Sequence, residues 1–144
     1  MLARIRQSAK TENDKGFTLI ELLVVMIIIG ILAAIAIPVF LNQRAKAEDS
    51  ATKSDVTTLG KEIATYYVDN TSAPAAFVSI AGNQYSFNGS SVGRVSRTTI
   101  SVLKGGTAAT FTSPTKWCVS LTNADGKDKD WKYAGDTGLT KGTC

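Results

Sequence analysis

At 144 residues the chain suits one domain with a modest core, and 16 Lys and Arg against 12 Asp and Glu leave a formal charge of +4. The absence of histidine excludes His-based acid–base catalysis and the commoner zinc sites. No nucleophile–base pair, phosphate loop or metal-ligand cluster stands out in the sequence, so an enzyme is not expected, and neither a cofactor nor a metal is called for.

Residues 1–15 are polar and carry Arg4, Arg6, Lys10 and Lys15 against Glu12 and Asp14, a net +2 of the total +4. Then comes Lys15-Gly16-Phe17-Thr18-Leu19-Ile20-Glu21, after which every residue over 22–41 is apolar, Gly or Pro. A run of about 20 such residues is long enough to span a bilayer. Positive charge before the run predicts a cytoplasmic N-terminus, which puts everything after residue 41 outside the cytoplasmic membrane. Glu21 is the one carboxylate at the edge of the run, where an ionised group facing hydrocarbon is costly and marks function by default. A plainer reading is a signal-anchor helix whose Glu21 snorkels to the headgroups. Ala34-Ile35-Ala36 also offers a small-x-small signal-peptidase pattern, but the apolar stretch before it exceeds the ~7–15 residues of a secretory signal and apolar residues continue past it.

From Phe17 the pattern reads as one helix continuing to about residue 69, 53 residues or roughly 80 Å at ~1.5 Å each. Gly30 and Pro38 are its weak points, because Pro38 has no N–H for the carbonyl of Ala34 and its ring crowds that carbonyl. A kink near Pro38 is expected; the alternative is that Pro38 ends a membrane helix. Over residues 42–70 the helix turns amphipathic, with Val56, Leu59, Ile63 and Tyr66 or Tyr67 at helical spacing. Arg44, Lys46, Lys53 and Lys61 interleave with Glu48, Asp49, Asp55 and Glu62, which reads as a solvated or subunit-facing surface.

Residues 70–84 read as a surface loop, and beyond them the period becomes two. Strands are expected at 85–87, ended by Asn88-Gly89, at 97–103 before a turn at Lys104-Gly105-Gly106, at 110–112, at 117–121, and at 130–133 across a turn near Asp125-Gly126. The expected fold class is α+β, the second half of the helix packed on a small antiparallel sheet of three to five strands. Trp117 and Trp131 read as core or sheet-edge aromatics, with a recognition role as the alternative. The oxygen-rich segment 123–130 lacks the spacing and terminal Glu of an EF-hand, so a charged hairpin turn is the first reading and a calcium loop the second. Cys118 and Cys144 lie in a disulfide-permissive compartment, and with two cysteines the pairing is unambiguous if a bond forms; free thiols are the alternative.

The basic leader, Gly16, the run Phe17-Thr-Leu-Ile-Glu21 and the long apolar segment together resemble the type IV pilin family, residue for residue through its prepilin signature. The resemblance implies a leader (residues 1–16) removed between Gly16 and Phe17 by a membrane-embedded prepilin peptidase, with methylation of the new amine on Phe17. It further implies a membrane and filament-core half-helix (17–41) and a globular head (42–144) comprising the amphipathic half-helix, an αβ loop, the sheet and a C-terminal disulfide loop. Glu21 and the Phe17 amine would pair between subunits during assembly, and Gly30 and Pro38 would bound a stretch that loses helicity in the filament. The partners so implied are copies of the chain itself, the peptidase, an assembly platform with its ATPase, and membrane lipid before assembly. The leader is long in the manner of pilins from Gram-positive bacteria. The alternatives are a minor or competence pilin that binds DNA or a surface ligand, and a type II secretion pseudopilin. The 12 basic residues left after cleavage are scattered and nearly balanced by acidic ones, so DNA binding has no evident basic patch.

Overall fold

The computed structural model describes residues 16–104 and 111–144. Residues 1–15 of the expected leader, the turn at Gly105-Gly106 and Thr110 lie outside the described residues. Two compact units are present, one ending at Pro38 and the other Val39–Cys144.

One helix, α1, runs Leu19–Asp69 with Pro38 inside it. The helix therefore does not stop at Pro38: residue 38 lacks its own N–H, but the helix formers that follow carry the ladder on. Within the second unit Thr52, Asp55, Val56, Leu59, Ile63 and Tyr67 form one buried stripe, the 3–4 periodicity that lets a helix bury a single face. Glu48 and Asp49 extend that stripe. This corrects the reading of Glu48, Asp49 and Asp55 as a solvated face, since all three are buried.

Among the described residues eight strands follow, in two antiparallel sheets rather than one. The first has the order β1 (Ser79–Ala81), β2 (Gln84–Phe87), β3 (Ser90–Arg94). The second is built from β4 (Ile100–Lys104), β5 (Phe111–Ser113), β6 (Lys116–Asn123), β7 (Asp130–Ala134) and β8 (Gly138–Lys141), in the order β4-β6-β7-β8 with β5 also on β6. The segment 70–84 thus holds a strand at its end. Gly82-Asn83 and Asn88-Gly89 both have positive φ at both positions (55°, 65° and 51°, 80°), the two-residue turn whose twist matches paired strands. Residues 97–99 stay outside β4, because Ser96 and Arg97 are drawn to the helix carboxylates instead of a neighbouring strand.

The core is formed by the helix stripe with Val78, Tyr85, Phe87, Val95, Ile100, Phe111, Trp117, Val119 and Leu121. Strand β6 buries Trp117, Val119, Leu121 and Asn123 on one face and Ser120 on the other, with Val119, Ser120 and Leu121 at 0% exposure. Trp117 is a core residue whose indole N–H donates to the Pro114 carbonyl at 3.1 Å and whose ring stacks on Tyr133 at 5.8 Å. Trp131 is half-buried, with the Lys53 ammonium 4.0 Å from its ring centre.

The helix approaches this aromatic pair most closely at Gly60, where an added Cβ would lie inside contact distance of the Tyr133 ring. Ala at an exposed helix position gains up to ~1 kcal/mol over Gly, but overpacking a filled core costs about 1–3 kcal/mol. Gly60→Ala is therefore expected to lower stability by roughly 1 kcal/mol, and Gly60→Leu by more. Thermal unfolding of the two variants checks this; an unchanged or raised midpoint for Gly60→Leu would mean that the ring yields freely.

Candidate assembly site

The start of α1 is fixed by its own side chains. The Glu21 Oε2 atom accepts the Thr18 backbone N–H at 2.8 Å and the Thr18 hydroxyl at 2.6 Å, while the Thr18 Oγ1 accepts the Glu21 N–H at 3.3 Å. The first helical bond, from the Leu22 N–H to the Thr18 carbonyl at 3.3 Å, follows directly. This is a reciprocal capping box, in which Ser or Thr at the cap and Glu three residues on satisfy each other's otherwise unpaired donors. Thr18 as a partner of Glu21 is not among the expectations drawn from the sequence. The Thr-x-x-Glu spacing ahead of an apolar run was the signal for it.

Both Thr18 donors fall on one oxygen, so the Oε1 lone pairs of Glu21 are left for another donor. Around it Phe17, Ile20, Glu21, Val24 and Val25 line a groove of about 380 Å³. Phe17 is 85% exposed, and so are all the large apolar side chains as far as Leu41, each at 47% or more. A single carboxylate oxygen with spare accepting capacity is thus set into a continuous apolar surface. Such a surface is far beyond the few hundred Å² that a free-standing soluble protein ordinarily exposes. Among the described residues α1 is the one helix long and apolar enough to cross a membrane.

A Cβ at Gly16 or at Gly30 would meet nothing within 4 Å, so neither glycine is required by a neighbouring group of this chain. Cys118 and Cys144 are joined in a disulfide, 26 residues apart in sequence, which fixes the end of the chain to β6.

The carboxylates of the lower helix hold loops. Asp55 accepts the Tyr85 hydroxyl at 2.9 Å, the Ser96 N–H at 2.8 Å and the Ser96 hydroxyl. Burial, and then the neighbouring Asp55 carboxylate, push the Tyr85 phenol well above its usual range. Glu48 takes the Arg97 guanidinium at 3.3 Å and the Asn123 amide at 3.2 Å. Asp49 accepts the Asp128 N–H on both oxygens at 3.1 Å and sits against Gly126. The segment 123–130 is accordingly a turn seated on a helix carboxylate, with Asp128 also paired to Lys141. That pairing holds the Asp128 carboxyl below its usual range and the Lys141 ammonium above its own. Among the described residues no group of three or more Cys, Asp and Glu is placed to hold a metal ion.

Residues 12–37 match the family model described as the prokaryotic N-terminal methylation motif. The type IV major fimbrial protein FimA of Dichelobacter nodosus is 44% identical over 70 residues, covering 49% of this chain and 45% of that protein. The type IV wide pilus major component PilA4 of Thermus thermophilus is 45% identical over 71 residues, 47% of this chain and 54% of that one. The type II secretion system core protein G of Escherichia coli K12 is 37% identical over 60 residues, 42% of this chain and 41% of that protein. The chain thus spans about half the length of the curated relatives it matches. No solved structure matches.

Proposed function

We propose that this chain, whose N-terminal segment is that of a type IV prepilin, is a structural subunit of a type IV pilus. In this reading residues 1–16 are a leader cut off between Gly16 and Phe17, residues 17–41 the membrane and then filament-core half of the helix, and residues 42–144 the head. A prepilin peptidase makes the cut and methylates Phe17. An assembly platform and its ATPase then draw the subunit from the cytoplasmic membrane, N-terminus inside and head outside, into an extracellular filament. The chain performs no catalysis. The carrying observation is Glu21: a carboxylate with a vacant accepting oxygen, set in an exposed apolar helix four residues from the amine that cleavage would create.

The similarity to the secretion protein G supports a second reading, a type II secretion pseudopilin, which shares the whole N-terminal mechanism. Shearing cells and analysing the released filaments by mass spectrometry separates them. A major pilus subunit beginning at N-methylated Phe17 is expected; secretion failure on gene deletion, with no such filaments, would favour the pseudopilin.

Nothing in this chain crowds Gly16, which supports reading its glycine as a need of the peptidase, whose active site would admit an extended and unhindered backbone. Gly16→Val should fold its head normally yet accumulate as an uncut, membrane-held precursor, seen as a heavier band in immunoblots. Subunits that begin before Phe17, or at Ile37, in intact filaments would overturn the prepilin reading.

A further inference from the structure

We propose that the head binds a neutral sugar in the groove between the last two turns of α1 and the β2–β3 hairpin. The groove has a volume of about 290 Å³, at the lower edge of the ~300–1,000 Å³ usual for small-molecule sites. It is formed wholly by residues 62–92, so the proposal does not rest on filament assembly.

Hydrogen bonds within the protein decide what each wall can offer. On the helix wall the Glu62 and Asp69 carboxylates only accept, and neither is in an ion pair among the described residues. The Thr65 hydroxyl has given its proton to the Lys61 carbonyl at 2.9 Å, which leaves it lone pairs. The Asn70 Nδ2 gives one proton to the Tyr66 carbonyl at 2.8 Å, which leaves its second proton and its Oδ1. Acceptors therefore outnumber donors on that wall, where the Asn70 amide and the Tyr66 hydroxyl keep a proton to give. On the hairpin wall the Asn88 Oδ1 is taken by the Ala75 and Ala76 N–H groups at 3.2 and 3.4 Å, which leaves its Nδ2 to donate. Beside it stands Ser90, which pairs with Phe87 across the hairpin and so shares its face. Between the walls lies the half-buried Tyr66 ring, edge to face at 5.7 Å on the buried Phe87.

An acceptor-rich wall facing donors beside a half-buried aromatic ring suits a ligand whose polar groups both donate and accept and whose ring has an apolar face. A sugar hydroxyl does both, and the C–H face of a pyranose packs on aromatic carbon. An anion would meet two carboxylates with no basic residue in the lining. A cation would leave the hairpin donors unmatched, and an apolar ligand would strand both walls, a cost of about 1–3 kcal/mol for each unpaired group.

The test is an NMR titration of the isotope-labelled full chain in detergent micelles. The probes are the methyl glycosides of glucose, galactose, mannose and N-acetylglucosamine, with N-acetylneuraminic acid and tetramethylammonium as charged comparators. At least one neutral glycoside should give saturable shifts confined to residues 62–70 and 87–92, with a dissociation constant on the order of 1 mM. Glu62→Gln on one wall and Ser90→Ala on the other, both at exposed positions, should each weaken it by about tenfold. The proposal is overturned if no neutral glycoside saturates below about 50 mM, if a charged comparator binds more tightly, or if both variants bind as the wild type does.

Discussion

Glu21→Ala is expected to give protein that is cut, inserted and folded as the wild type is, yet assembles into few or no filaments. The reason lies in what cleavage would add to the site. The Phe17 nitrogen is an amide in the precursor and an ammonium afterwards, delivered into the same apolar layer as the carboxylate. Each ion alone in low dielectric costs several kcal/mol, whereas a pair with its hydrogen bonds satisfied removes most of that penalty. The Oε1 lone pairs left by the capping box could take an incoming amine from a neighbouring subunit without disturbing Thr18. With every ~1.4 kcal/mol worth tenfold in an equilibrium, loss of the pair should reduce filament yield by about a hundredfold or more. Glu21→Gln should lie between, because an amide oxygen accepts a hydrogen bond but leaves the cation unneutralised. Thr18→Val isolates the capping role: it removes the cap, at about 1 kcal/mol, and keeps the carboxylate, so filaments should persist. Counting filaments by negative-stain microscopy decides the matter, and wild-type numbers from Glu21→Ala cells would reduce Glu21 to a helix cap.

The second large effect concerns the head. Cys118→Ser should lower its stability by roughly 3–4 kcal/mol, the loop-entropy value for a bond between residues 26 apart. For a domain of about 100 residues the unfolding midpoint should fall by on the order of 15–25 °C. The C-terminal segment from β8 onward, no longer fixed to β6, should become the first site of proteolysis. Leader cleavage should be untouched. Calorimetry with and without a reductant is the measurement, and identical midpoints would show that the bond adds nothing.

Some parts of this structure were legible in the sequence because one physical signal dominated. A run of apolar residues with no charge admits few readings, and Val56, Leu59, Ile63 and Tyr67 repeat at the helical period. Asn88-Gly89 marked the end of a strand because both residues tolerate positive φ. Strands β1, β3 and β8 gave no such signal. They are 3–5 residues long and are read against Ser and Gly, which contribute little alternation, so their existence depends on the neighbour they pair with. The carboxylates misled for a related reason. Glu48, Asp49 and Asp55 look like surface residues on a charged helix, and the groups that justify their burial lie 30–79 residues away. At Glu21 the error ran the other way, since the partner stood three residues off and its spacing was there to be counted.

The two loops held by Asp49 and Asp55 are gripped partly by their main chain. The Asp128 and Ser96 contacts include peptide N–H groups, which every residue except proline supplies. The helix therefore recognises the path of these loops more than their spelling. Their exposed side chains could be exchanged to present a different surface to the surroundings while the scaffold beneath keeps its form, and proline at 96 or 128 would be the substitution that such remodelling has to avoid.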